Sequence, residues 1–133
     1  MPMISFNNIC KIYSRNKVFY NADLSIKKGD FVFLAGESGS GKTTFMRLIS
    51  GLEKPDRGKI LVNNSDITKL SQNGLSDYRR KIGLIMQDNI FVENASVSYN
   101  ISLPLLISND NDIDSKVRAV LKLVNLNNKY NKI

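Results

Sequence analysis

Gly36-Glu37-Ser38-Gly39-Ser40-Gly41-Lys42-Thr43 fits the pattern G-x-x-x-x-G-K-[ST], with Gly36, Gly41, Lys42 and Thr43 at its fixed positions. Background residue frequencies make a chance match rare in a chain of 133 residues. Chemistry explains the spacing. Closely spaced glycines reach φ > 0 and turn successive backbone N–H groups toward one point, and a following helix adds its positive N-terminal end. Such a loop cradles phosphate oxygens. Lys42 would reach the β- and γ-phosphates as a point charge, and the Thr43 hydroxyl would take one position on Mg²⁺, leaving the others to water and phosphate. Neither side chain does covalent chemistry.

The pattern needs a strand before it and a helix after it. Phe31, Val32, Phe33, Leu34 and Ala35 form a continuous apolar run, as expected of a strand buried on both faces. Phe45, Leu48, Ile49 and Leu52 recur at helical spacing, and Gly51 is placed to end the helix in a left-handed turn. The mundane alternative, a Gly/Ser-rich linker, suits neither flank.

Length and composition narrow the rest. A chain of 133 residues makes one domain at most, and 42% hydrophobic content is enough for a core. The net charge of +7 comes from basic residues scattered along the chain, which read as solvated surface, so no nucleic-acid partner is expected. There is one cysteine, Cys10, and no histidine, which rules out an internal disulfide, imidazole catalysis and His-ligated metal within these residues. Cys10 suits a small strand or core position in a reducing compartment. Residues 1–6 lack a basic region followed by an apolar stretch, so no signal peptide is expected. No run approaches the roughly 20 apolar residues of a membrane helix, so attachment to a membrane is expected through a partner.

Ile4, Phe6, Ile9 and Ile12 predict one or two short strands, and residues 18–20 and 24–26 predict more of an antiparallel layer. Lys27-Lys28-Gly29-Asp30 reads as a turn. Tyr13 is an aromatic residue upstream of the loop, either an ordinary strand tyrosine or a ring on which a base could stack. After the helix, Pro55-Asp56-Arg57-Gly58 is a turn, residues 59–62 a strand, and Asn63-Asn64 a further turn. Residues 66–70 begin a polar connection that is partly helical through Leu75 and Tyr78. Arg79-Arg80-Lys81 then reads as the solvated start of a buried strand over residues 82–86, with Gln87 at its end. By position alone Gln87 is a solvent-facing strand cap, although its amide suits a metal or a water. Ser96 is a candidate cap for a short helix that Pro104 would interrupt. Ile113, Val117, Val120, Leu121 and Val124 mark a helix with one apolar face, with Asp112 and Asp114 at its N-terminal end and Asn125 at its close.

In this order the signals resemble the ATP-binding subunit of an ABC transporter. The carriers are Tyr13, the loop from Gly36 to Thr43, Ile49-Ser50-Gly51-Leu52-Glu53-Lys54-Pro55, Gly58-Lys59-Ile60 and Met86-Gln87-Asp88. More narrowly, Asp66-Ile67-Thr68-Lys69-Leu70, Arg79-Arg80-Lys81-Ile82-Gly83 and residues 100–106 resemble the cell-division ATP-binding protein of the FtsE type. Relatives that serve lipoprotein release or macrolide export are similar too.

The resemblance implies an α/β P-loop NTPase core of the ABC ATPase kind with an N-terminal antiparallel β layer, incomplete here. Residues 1–133 would be the N-terminal part of one nucleotide-binding domain. Tyr13 would stack on adenine. Gly36, Glu37, Ser38, Gly39, Ser40, Gly41, Lys42, Thr43 and Thr44 would hold the phosphates of ATP. Thr43 and Gln87 would serve Mg²⁺, with Gln87 contacting the metal or the attacking water and joining Lys42 in catalysis. Residues 89–106 would meet an integral membrane permease-like subunit of the FtsX type at the cytoplasmic face of the inner membrane. A second ATPase subunit would complete a dimer.

Family members continue into a signature motif, a Walker B aspartate, a catalytic glutamate and a switch histidine, none of which falls within these residues. The chain is therefore expected to carry the binding half of a site and to be inactive alone. Its apolar stretch 31–35 would lack ladder partners and make the isolated chain poorly soluble. Two other readings stand beside this one: a nucleic-acid-associated ABC ATPase, against which the compact spacing between Lys42 and Gln87 argues, and a catalytically silent remnant.

Overall fold

In the computed structural model, residues 2–86 and 91–133 are described. The chain divides into two compact units, Met1–Ile85 and Met86–Ile133, each with its own packing.

The first unit is built on a long hairpin. Strand β1 (Pro2–Tyr13) pairs antiparallel with β2 (Asn16–Lys27), joined by a two-residue turn in which Ser14 is left-handed. The sequence predicts the layer but breaks it into shorter pieces, because its alternation fails near Asn8. Phe6 pairs with Leu24 and Ile9 with Ala22, so Asn7 and Asn8 of β1 oppose the single Asp23 of β2. Asn8, at φ 50°, is the extra residue of a bulge, and it turns Ile9 rather than itself onto the face that holds Phe6. The other edge of β1 pairs with β3 (Arg57–Val62), which pairs with the short β4 (Ser65–Asp66), giving the order β2-β1-β3-β4, all antiparallel. Gly58 crosses the bulge so closely that a Cβ there would lie 2.5 Å from the Asn8 carbonyl oxygen.

Helix α1 (Lys42–Ile49) lies on this sheet. Phe45 and Leu48 meet Phe6, Ile9, Ile60 and Ile67 in the core, with the Phe6 and Phe45 rings 5.0 Å apart. The helix ends where the sequence predicts. Gly51 is left-handed, its N–H donates to Leu48, and the Leu52 N–H donates to Arg47, which is the paired bonding of a Schellman turn. Asp66 caps a short 3₁₀ turn over Ile67–Lys69, and Ser71 caps α2 (Gln72–Arg79) through the Gly74 N–H. Two side chains of α2 reach back to the tail of α1: the Tyr78 hydroxyl donates to the Ile49 carbonyl at 2.6 Å, and the Arg79 guanidinium donates to the Gly51 carbonyl at 2.6 Å. Arg79 is therefore not the solvated residue that its basic neighbourhood predicts.

Two strand predictions fail. Residues 31–35 and 82–86 form no ladder among the described residues, and Phe31 and Phe33 are each 85% exposed while Ile85 is 96% exposed. An apolar run of this kind becomes a strand only between neighbours on both sides, and the antiparallel layer supplies none to it.

In the second unit α3 (Val97–Ile107) is capped by Ser96, whose hydroxyl accepts from the Tyr99 N–H. Asn100 accepts from the Val92 N–H and donates to the carbonyls of Val92, Ala95 and Ser96, tying residues 92–96 to the helix. Pro104 does not interrupt α3, contrary to the sequence expectation. It forfeits one bond, to Asn100, and the ladder resumes with the Ser108 N–H on the Pro104 carbonyl at 3.2 Å. Helix α4 (Ile113–Leu123) buries Val117 and Leu121 and leaves Val120 exposed, and Asn125 at φ 58° turns the chain after it.

Core packing and the α2 clip should separate in magnitude. Leu48→Ala, at a fully buried position, is expected to cost about 2–5 kcal/mol, and Tyr78→Phe about 1 kcal/mol, in denaturant unfolding of the full-length gene product.

Candidate functional site

Residues 36–40 form an exposed loop that closes on itself before α1 begins. The Ser40 N–H donates to the Glu37 carbonyl at 3.2 Å, and Gly39 and Gly41 have φ of 80° and 97°. Gly41 is the N-cap of α1 and is also the point where the loop rests on the sheet. A Cβ there would lie 2.5 Å from Val18 Cγ1 and 3.5 Å from the Phe19 ring. Only glycine meets both demands. Strand β2 thus sets the height at which the helix starts.

The first bond within α1 runs from the Phe45 N–H to the Gly41 carbonyl at 2.8 Å. The amides of Lys42, Thr43 and Thr44 precede it and have no helical carbonyl to bind. No acidic residue lies in this first turn, and no side chain caps it. These amides and the helix dipole point one way, which is the arrangement an anion requires. Of the two threonines, Thr44 is buried and Thr43 is exposed. Thr44 thus offers its backbone, and Thr43 offers a hydroxyl open to a metal–phosphate ligand. Among the described residues no three Cys, Asp or Glu side chains gather to hold a metal. One hydroxyl beside phosphate oxygens and water is nevertheless a donor set that suits Mg²⁺.

Lys42 folds back over the loop. Its ammonium donates to the carbonyls of Gly36 at 2.8 Å and Glu37 at 2.7 Å. The same cation that would meet the outer phosphates therefore ties the start of the loop to the start of the helix. Its third N–H is the one left for an oxygen ligand.

Tyr13 stands at the tip of the hairpin in a charged cluster that sequence reasoning did not assemble. Its hydroxyl donates to Glu53 Oε2 at 2.5 Å, and the Lys11 ammonium lies 5.1 Å from its ring centroid. Lys11 is only 8% exposed, pairs with Glu53 Oε1 at 2.8 Å and with Asp56 at 3.8 Å, and donates to the Lys54 carbonyl. Asp56 also accepts from the Ile12 N–H at 2.7 Å. Burial alone would raise the Glu53 carboxyl, but the bonds from Lys11 and Tyr13 and the fields of Lys11 and Arg47 hold it below its usual range. Burial likewise pulls the Lys11 ammonium down, and its bond to Glu53, with Glu53, Asp56 and Tyr13 nearby, carries it above the ordinary lysine value. In the sequence Glu53 entered only as part of the stretch from Ile49 to Pro55, and nothing there pointed to Lys11 or Tyr13 as its partners.

Phosphate loop and tyrosine share one support. Phe19, which touches the site of Gly41, pairs across the hairpin with Lys11, two residues before Tyr13. Gln87 lies outside the described residues.

Two outcomes follow from this geometry. Gly41→Ala faces both a left-handed φ and the Val18 methyl, so it should lower the melting temperature of the full-length protein and weaken its binding of Mg-ATP at least about tenfold. Because the folded Glu53 carboxyl titrates below its unfolded value of about 4.3, its contribution is present above that pH and is lost as pH falls through the folded value. Glu53→Gln should therefore be less stable than the parent at neutral pH, and the gap should narrow below about pH 4, as followed by thermal melting.

A family profile described as "ABC transporter" matches residues 19–133. The methionine import ATP-binding protein MetN of Clostridium acetobutylicum is 38% identical over 129 residues, covering 96% of this chain and 40% of that protein. MetN 1 of Bacillus cereus is 38% identical over 133 residues, covering 96% of this chain and 38% of that protein. The chain thus spans about two fifths of the length of these curated relatives. Among solved structures, the ATP-binding cassette MJ0796, in a dimeric post-hydrolysis state bound to ADP and Pi, superposes with a TM-score of 0.83 at 28% identity, covering 97% of this chain and 60% of that one. The cbiO1 protein of Clostridium perfringens, part of the ABC transporter complex cbiONQ, gives 0.81 at 26% identity, covering 98% and 53%. The chain belongs to the ABC transporter family and carries the N-terminal part of its ATP-binding domain.

Proposed function

We propose that the protein is the ATP-hydrolysing subunit of an ABC-type membrane complex, and that this chain supplies the nucleotide-binding half of its site. The observation that carries the proposal is the Lys42 ammonium held over a glycine loop whose helix presents three unbonded amides, with no acid in its first turn.

In this reading the loop amides and Lys42 gather negative charge on the outer phosphates, and they do so without reorganising, because the loop is already closed. The Thr43 hydroxyl holds Mg²⁺, which when bound neutralises charge between the phosphates. The Tyr13 ring receives the adenine. Gln87 positions metal or water, and a glutamate further along the full protein polarises that water. ATP is enclosed by a second copy of the domain; the similar cassette MJ0796 is dimeric with ADP and Pi bound.

The partner in the membrane is a permease-like subunit, with the ATPase peripheral on the cytoplasmic face. Among the described residues no helix is long and apolar enough to cross a membrane. The second unit presents Phe91, Val92, Tyr99, Leu106 and Ile107 to solvent, a set of apolar side chains suited to a membrane subunit.

The curated relatives named above are methionine importers, so uptake of a small solute such as methionine is the process we favour. Cell division, with a partner of the FtsX type, is a second reading that rests on the stretches at residues 66–70, 79–83 and 100–106.

Lys42→Ala in the full-length protein should weaken Mg-ATP binding at least about tenfold, since a charge-assisted bond is lost from a preformed site. Unchanged affinity in titration calorimetry would reject the site. Loss of methionine uptake on deletion of the gene, with normal septation, supports the import reading; filamentous growth with normal uptake supports the other.

A further inference from the structure

The cluster at the hairpin tip holds more groups than a turn needs. A turn at Pro55 would be secured by Asp56 alone, whose backbone N–H donates to the Cys10 carbonyl and whose carboxylate accepts from the Ile12 N–H. The Glu53 side chain makes no direct bond to that turn. Its two oxygens are spent on Lys11 at 2.8 Å and on the Tyr13 hydroxyl at 2.5 Å. Lys11, almost fully buried, satisfies itself on Glu53, Asp56 and the Lys54 carbonyl, and its ammonium also lies over the Tyr13 ring. The ring is thus fixed at two places, by its hydroxyl and over one face, while 38% of the residue stays exposed.

We infer that Glu53, anchored by Lys11, is a positioning residue for nucleotide binding: it fixes the Tyr13 ring in the one orientation that leaves a face open to the base. The inference rests on the reading of Tyr13 as the base-stacking residue and deepens it.

A tyrosine at the end of a hairpin is free to rotate about two torsions, and a base that stacks on it must first select one orientation. The hydrogen bond to Glu53 makes that selection in advance. A neutral acceptor would make a weaker bond to the phenol, whereas a carboxylate gives the short charge-assisted kind. An unpaired carboxylate so close to a ligand carrying several negative charges would repel it. Lys11 cancels that charge and is itself held by Asp56 and the Lys54 carbonyl. Stacking itself reads a π face and is tolerant of base identity, so the cluster should act on base affinity and leave phosphate binding alone.

The test compares Mg-ATP with Mg-tripolyphosphate, which offers the phosphates without a base, by titration calorimetry of the full-length protein. Tyr13→Ala is expected to weaken ATP about tenfold and leave tripolyphosphate unchanged. Tyr13→Phe keeps the ring and removes the bond, and Glu53→Ala removes its acceptor. Each is expected to weaken ATP about threefold with tripolyphosphate unchanged. The double variant should lose about threefold, where independent effects would give about ninefold. If Tyr13→Ala leaves ATP affinity unchanged, the stacking reading fails and the inference falls with it. If Tyr13→Ala weakens ATP while Tyr13→Phe does not, stacking stands and the role of Glu53 is overturned. Equal losses for ATP and tripolyphosphate in Glu53→Ala, or an additive double variant, overturn it as well. Should Glu53→Ala fail to fold, Tyr13→Phe alone decides.

Discussion

Everything at the site depends on the seating of α1 on the antiparallel sheet, with the Phe45 ring against Phe6 and Leu48 in the same buried cluster as Ile9 and Ile60. A helix of eight residues has no stability of its own in water, so its position is decided by what it buries. The bulge at Asn8 matters for this reason. It delivers Ile9 to the buried face at the place where regular alternation would have delivered an asparagine. With the helix seated, Gly41 lands on Val18 and Phe19, and the loop before it has a fixed height and direction.

Charge then acts on a scaffold made by apolar packing. The anion-facing end of α1 has no acid in its first turn, and Lys42 is bound to two carbonyls of the loop. The two carboxylates held at the hairpin tip, Glu53 and Asp56, both face the Lys11 ammonium. Positive potential is therefore kept where phosphates would lie, and negative charge is paired where a base would lie. Most of the remaining ion pairs, such as Arg80 with Asp77 and Arg118 with Asp114, lie at the surface between neighbouring turns of a helix and contribute little.

The loop was legible in the sequence because its chemistry is local: glycines, a lysine and a threonine at fixed spacing need no distant partner to be recognised. The end of α1 was legible for the same reason, since Gly51 alone supplies the turn. What could not be read is non-local. The stretch at residues 31–35 has the composition of a central strand; composition cannot say whether neighbours stand beside it, and it was the family resemblance that led to the expectation of missing partners, of which none stands there among the described residues. Pro104 looked like a break because one lost bond was weighed without the rest of the ladder that spans it. Glu53 and Lys11 lie 42 positions apart in a chain that gives no hint of their meeting, and their pairing with Tyr13 emerges only when the turn at Pro55 is folded against the end of β1.

The clip from α2 has a mechanical meaning. Tyr78 and Arg79 hold the tail of α1 at the carbonyls of Ile49 and Gly51, and the head of α1 carries the phosphate loop. A helix this short is a rod, stiff along its axis. The chain leaving Arg79 therefore starts from a point tied, through α1, to the helix end that carries the phosphate loop.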